Sequence, residues 1–258
     1  KIFAQALTGA NGVNMVNATG VQELWSDNST ANLFVTNLQE KAAIGVKGGN
    51  GSFFGVQAAV TALGGDLAVV LDSANVGGLV VNSGGATPAY SSVSINAMTG
   101  NNAITGKAGL ETNQVGGVDF GTKLATVNVT GDGAVRVSGA LADSVATIDA
   151  SANKGGTNFT LGGGSKAVTY TGGEGADRVD FGGTLALTDK VDGGAGRDVL
   201  AVTNETAIIA GLQVSNVEIL ELNALNGKLN AAAIAGVDEV RVTNALNNGI
   251  VNGLTSDS

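Results

Sequence analysis

The chain of 258 residues has no cysteine, no histidine, a single proline and few aromatic residues (4%). Without cysteine there is no disulfide framework, no thiolate nucleophile and no cysteine-ligated zinc site. Without histidine the chain lacks the commonest general base and the commonest transition-metal ligand, so a Ser-His-Asp triad is excluded. Because aromatic side chains are scarce, any core must be built from Val, Leu, Ile and Ala.

Charge and hydropathy exclude two further classes of protein. The net charge of −9 argues against nucleic acid as a partner, since affinity for nucleic acid comes mostly from neutralised phosphates. No run of about 20 apolar residues is present, so we expect no membrane insertion. An acidic chain suits a protein that meets divalent cations, although acidity also serves solubility alone.

Short runs that alternate apolar with polar residues recur along the chain at an even spacing. Val127 and Ile148 are 21 residues apart, as are Ile148 and Thr169, and Ile219 and Val240. A strand repeat near 20 residues is typical of a solenoid, in which each coil buries its apolar side against the next. We therefore predict an all-β fold, a right-handed parallel β-helix or β-roll with coils of about 21 residues. A sandwich or barrel is the alternative, but it would not be expected to hold so even a period.

The repeat divides the chain into two parts. Residues 122–258 keep the period, whereas residues 1–121 are β-rich but less regular, and the pattern weakens around residues 90–121. We predict a less regular β-rich or solenoid region over 1–121 and a β-solenoid over 122–258, with an irregular segment interrupting the stack.

Two glycine-rich stretches, 172–180 and 193–201, both fit the pattern G-G-x-G-x-D and begin 21 residues apart, which is one coil. Glycines allow the backbone to curl with φ > 0 and to aim several carbonyl oxygens at one point. The aspartate adds a carboxylate, and Ca²⁺ prefers oxygen ligands of these kinds. The alternative is that both stretches are plain glycine turns with a solvated aspartate.

These two stretches, together with the strand pattern of residues 122–242, resemble the RTX class of secreted calcium-binding proteins. The closer resemblance is to the RTX-type surface-layer proteins of Gram-negative bacteria and to the related RTX adhesins. Membership would imply type I secretion, calcium-dependent folding outside the cell and self-assembly into a lattice. The family's C-terminal secretion signal is not recognisable, so we expect a processed form or a piece of a longer protein.

The resemblance also implies a set of Ca²⁺ ligands. In that family the motif aspartate bridges calcium ions between neighbouring coils, which points to Asp177 and Asp198. The other candidates are turn carbonyls and flanking carboxylates, namely Gly173, Gly175, Gly194, Gly196, Asp180 and Asp192. Stacking one motif on the other brings like-charged aspartates together, which gives a physical reason for cation-coupled folding.

Three function classes follow from these observations. The first is a structural extracellular protein that assembles with copies of itself into a calcium-dependent surface layer or filament. The alternative is a calcium-rigidified adhesin or glycan-binding module of a larger RTX protein, with cell-surface polysaccharide as its partner. An enzyme acting on polysaccharide would need carboxylates clustered with basic residues on one face. Arg136 and Arg241 lie in strands with no repeated carboxylate cluster nearby, so we expect no enzyme.

Overall fold

The computed structural model describes most of the chain. The described residues are 1–5, 11–29, 33–39, 41–48, 52–58, 65–82, 90–98, 114–115, 118–119, 123–203, 212–224, 228–230, 234–244 and 250–252. Over these ranges the regular structure is all β-strand, and no helix is long and apolar enough to cross a membrane.

Almost all of the strands belong to two parallel sheets. The first sheet contains, in spatial order, β1 (Ile2–Gln5), β3 (Glu23–Asp27), β5 (Ala43–Lys47), β7 (Asp66–Asp72), β9 (Ser92–Met98), β12 (Thr126–Gly131), β14 (Thr147–Asn153), β16 (Thr169–Thr171), β18 (Lys190–Asp192) and β20 (Gln213–Ser215). The second sheet contains β2 (Asn11–Asn14), β4 (Leu33–Leu38), β6 (Ser52–Ala58), β8 (Asn75–Asn82), β10 (Gln114–Val115), β13 (Val135–Ala140), β15 (Thr157–Thr160), β17 (Arg178–Asp180), β19 (Val199–Thr203), β21 (Ile219–Asn223) and β23 (Glu239–Val242), with β11 (Val118–Asp119) beside β8. A separate pair is formed by β22 (Lys228–Asn230) and β24 (Ile250–Asn252).

The chain alternates between the two sheets, and each strand pairs in parallel with the strand one coil before it. Val127 pairs with Ile148 in the first sheet, and Val179 pairs with Leu200 in the second, in both cases 21 residues along the chain. This topology is that of a parallel β-solenoid. The predicted all-β solenoid with coils of about 21 residues is therefore confirmed, and the sandwich alternative is wrong.

At the other two spacings noted in the sequence, the strand register differs from the expected pairing by one residue. Ile148 pairs with Tyr170 and not with Thr169, and Val240 pairs with Leu220 and not with Ile219. Side chains alternate between the faces of a strand, so a one-residue slip would turn the buried set outward. Tyr170 is 1% exposed whereas Thr169 faces solvent, and burial of the ring sets the register.

The core lies between the two sheets and is built mainly from aliphatic side chains, as the composition requires. Its largest members include Phe159, Tyr170 and Phe181. The Tyr170 hydroxyl, from the first sheet, lies 2.7 Å from Oγ1 of Thr157 on the second sheet. Burial raises the pKa of this phenol, which keeps it neutral. A hydrogen bond therefore links the two sheets through the interior.

The predicted irregular segment around residues 90–121 lies largely outside the described residues. Its described strands β9 and β10 pair directly with β12 and β13, which follow the segment. Both sheets thus run from the first part of the chain into the second.

Candidate calcium site

The two glycine motifs form successive corners of the solenoid, each leading from a first-sheet strand to a second-sheet strand. Residues 172–177 connect β16 to β17, and residues 193–198 connect β18 to β19. The corners stack directly, since the backbone N–H of Ala195 donates to the carbonyl of Gly173 at 2.7 Å. The structure thus brings together the two motifs that the 21-residue spacing relates.

The stacking is close enough to require glycine. A Cβ atom on Gly193 would lie 1.8 Å from the carbonyl oxygen of Asn216 and 2.8 Å from Oδ2 of Asp198. A Cβ on Gly173 would likewise overlap the carbonyl oxygen of Asn153 in the preceding coil. Any larger residue at these positions would separate the coils.

Asp177, in the first motif, is 2% exposed and points into the turn. Its Oδ1 accepts hydrogen bonds from the backbone N–H of Thr157 at 2.5 Å and from the Thr157 hydroxyl at 2.8 Å. Its Oδ2 accepts the backbone N–H of Gly173 at 2.8 Å. Burial raises the pKa of the carboxyl, and these hydrogen bonds oppose that effect. Asp177 is therefore held by donors on both oxygens and ties its coil to the preceding one.

Asp198, in the second motif, is equally buried but has far fewer partners. Its Oδ1 accepts the backbone N–H of Asp177 at 2.7 Å, whereas its buried Oδ2 has no hydrogen-bond partner. Burial raises the pKa of this carboxyl from 3.8 to about 6, and the negative charges of Asp177, Glu218 and Asp192 add to the effect. The site is thus negative and holds an oxygen without a partner.

The two motifs differ in the donors that their aspartates meet. In the first motif the N–H of Gly173 donates to the aspartate, but in the second the corresponding Gly194, at φ +89°, donates to Oδ1 of Asp192 at 3.2 Å. The residue one coil before Asp198 is also an aspartate, whose ionised side chain has no proton to donate. The second motif therefore lacks two of the three donors that hold the first.

The other predicted ligands differ in whether they lie at the corner or on the outer face. Asp192 also accepts a hydrogen bond from the Asn216 side chain at 2.7 Å, and Gly196 lies directly over the carbonyl of Gly175. Asp180 instead faces outward, where Oδ1 accepts the N–H of Gly182 at 2.8 Å and Oδ2 pairs with an arginine.

Sequence reasoning missed Glu218, which takes the place of the motif aspartate in the next coil. Its Oε2 accepts the backbone N–H of Asp198 at 2.9 Å. We call Asp177, Asp198 and Glu218 the acidic column, because each carboxylate accepts an N–H from the coil before it. Its position in the sequence could have identified Glu218, since all three residues immediately precede a second-sheet strand.

The arginines beside the motif aspartates do not neutralise the acidic column. Arg178 pairs with Asp180 at 3.1 Å and with Glu221 at 2.7 Å on the outer face of the second sheet. Arg197 pairs with Glu239, as does Arg241 at 2.5 Å, so each of these two arginines has a carboxylate partner outside the acidic column. These contacts lower the pKa of Glu239, whereas a general acid needs a raised one.

The oxygen donors around the second motif suit a hard cation. Asp198 Oδ2 and the Asn216 carbonyl both lie close to one point beside Gly193, and Ca²⁺ takes carboxylate and carbonyl oxygens. In the described ranges no three acidic side chains converge on one point, so a cation here must take backbone carbonyls as well. The first motif has a similar pair of oxygens beside Gly172, but there Asp177 Oδ2 already accepts a hydrogen bond, so the partnerless Oδ2 of Asp198 makes the second motif the better fit for calcium. Calcium itself stays a prediction.

Comparison with protein-family models, curated proteins and solved structures finds no match for the chain. A proposal for its function therefore rests on the geometry of the corner and on the motif resemblance.

Gly193→Ala is expected to destabilise the fold by about 1–3 kcal/mol, the usual cost of overpacking, because the methyl group overlaps the Asn216 carbonyl. The matched control is Gly163→Ala, where an added Cβ meets nothing within 4 Å. Thermal unfolding of the two variants measures the difference. Equal melting temperatures for both would contradict the close stacking described here.

In calcium-free buffer the folded protein is expected to lose stability as the pH rises from about 4 to about 6. The folded-state pKa of Asp198, about 6, lies above its ordinary value of 3.8, so the folded state binds the proton more tightly. The stabilisation is complete below about pH 4 and is lost as the pH rises through 6. Melting temperature against pH tests this, and Asp198→Asn should remove most of the slope. An unchanged slope in that variant would assign the effect to another group.

Proposed function

We propose that this is a structural extracellular protein, a β-solenoid stabilised by Ca²⁺ that assembles with copies of itself into a surface layer or filament. The observation that carries the proposal is the partnerless buried oxygen of Asp198 in an acidic corner. A buried carboxylate without a donor is costly, and a bound cation removes that cost. Export by a type I system and a location at the cell surface are proposed from the motif resemblance.

The start of the stack supports assembly. Strands β1 and β2 each pair on one side only among the described residues. The first coils also expose large apolar side chains, with Phe3 51% and Phe34 42% exposed. An unpaired strand edge beside apolar surface favours docking of a further coil, from a longer form of this chain or from a second copy.

Addition of Ca²⁺ is expected to raise the melting temperature by about 5–10 °C at a concentration of 100 times Kd, since such binding adds about 2.7 kcal/mol. Mg²⁺ at the same concentration is the control, because it demands a tighter octahedral shell. Negative-stain microscopy of the same samples should show ordered sheets or filaments with Ca²⁺ and dispersed particles with chelator. Unchanged melting and dispersed particles in both conditions would end the proposal.

A second candidate function, the adhesin or glycan-binding module, is favoured by the outer face of the first sheet. Ser92, Thr126, Thr147 and Thr169 lie in register on four neighbouring strands. Their hydroxyls form a row with the spacing of about 4.8 Å between strands, on a face that suits hydrogen bonding to a polysaccharide.

Replacing Thr126, Thr147 and Thr169 together by valine is expected to leave the melting temperature within about 3 °C, since valine keeps the branched shape that strands prefer. If the face binds glycan, the variant should lose retention on immobilised surface polysaccharide that the unmodified protein shows. Retention of neither protein would remove this second candidate, and equal retention of both would exclude this face as the binding surface.

A further inference from the structure

The two motifs look alike in sequence but differ in whether the aspartate has a carboxylate oxygen free to bind a cation. Asp177 accepts three hydrogen bonds, and both of its oxygens are occupied by donors. Asp198 accepts one, and its Oδ2, in a side chain 2% exposed, has none. A cation is repelled by the N–H groups that already surround the first carboxylate, and it meets no such donor at Oδ2 of the second.

A second oxygen lies within coordinating reach of Asp198 Oδ2. The Asn216 carbonyl oxygen and Asp198 Oδ2 lie 1.8 Å and 2.8 Å from the point that a Gly193 Cβ would occupy, so the two oxygens are at most 4.6 Å apart. Two oxygens that share one Ca²⁺ ion at about 2.4 Å can be separated by up to about 4.8 Å. The pair therefore meets the geometric condition for a shared ion.

A third group comes from the coil without a glycine motif. Glu218 lies against Asp198, because its Oε2 accepts the Asp198 backbone N–H at 2.9 Å. The nearby arginine, Arg197, turns away to Asp238 and Glu239. The negative charge of Asp198 and Glu218 is thus left without a basic partner among the contacts of these two residues.

We propose that the solenoid binds one Ca²⁺ ion at this corner, held by Asp198 Oδ2, the Asn216 carbonyl and Glu218, and that Asp177 is not a ligand. The inference rests on the proposed calcium dependence but changes its assignment. The motif resemblance implies both Asp177 and Asp198 as ligands, whereas the structure assigns the site to the second motif and to the motif-free coil that follows it. Asp177 serves as a hydrogen-bond anchor between coils.

The test compares Asp198→Asn with Asp177→Asn by isothermal titration with CaCl₂ and by thermal unfolding in chelator. Asp198→Asn should bind one Ca²⁺ fewer per chain than the unmodified protein and should be at least as stable in chelator, since it removes a buried charge with an unpaired oxygen. Asp177→Asn should keep the full stoichiometry but melt about 2–8 °C lower with or without Ca²⁺, because its amide nitrogen faces an N–H donor.

Glu218→Gln tests the third group, and Glu221→Gln is its matched control, because Glu221 faces Arg178 on the outer surface. The first should raise Kd for Ca²⁺ about tenfold through the lost charge, and the second should leave Kd within about twofold. Loss of one ion in Asp177→Asn, or equal Kd values for the two glutamate variants, would overturn the assignment while leaving calcium dependence intact. Absence of Ca²⁺ binding by the unmodified protein would instead remove the proposed function itself.

Discussion

The structure around the motifs depends on how each corner of the solenoid satisfies its backbone. At a corner the strands end, and the buried N–H groups of the turn need acceptors because an unpaired one is costly. In the acidic column the acceptor is a carboxylate from the following coil, which accepts the N–H of Thr157, then of Asp177, then of Asp198. Each corner is complete only when the next coil is in place, so coils of this region are stabilised as a stack.

The same arrangement links the corner to the core. Thr157 donates to Asp177 through both its backbone and its hydroxyl, and that hydroxyl is also hydrogen-bonded to the hydroxyl of the buried Tyr170 from the opposite sheet. One hydrogen-bonded chain thus joins the first sheet, the second sheet and the turn. Glycine permits the approach, since a side chain at Gly173 or Gly193 would push the coils apart.

Much of the fold could be predicted from the sequence, because its main signal is local. The alternation of apolar residues and the even spacing of Val127, Ile148 and the motifs are enough to predict a parallel solenoid and to place the two motifs in adjacent coils. The register was less accessible. Pairing of Ile148 with Tyr170 depends on which of two adjacent residues is buried, and that choice is made by packing between the sheets.

The candidate site was predicted only in part, because its chemistry is set by contacts between coils. Asp177 and Asp198 follow identical glycine spacings, yet one is preceded a coil earlier by Thr157, which has a hydroxyl to donate, and the other by an aspartate, which has none. Glu218 follows a shorter connection, three residues rather than six, and no motif marks it. Donors therefore diminish along the acidic column while negative charge accumulates. Asp198 is buried and has a carboxylate oxygen with no donor, so a bound cation would stabilise the fold more there than at the first motif.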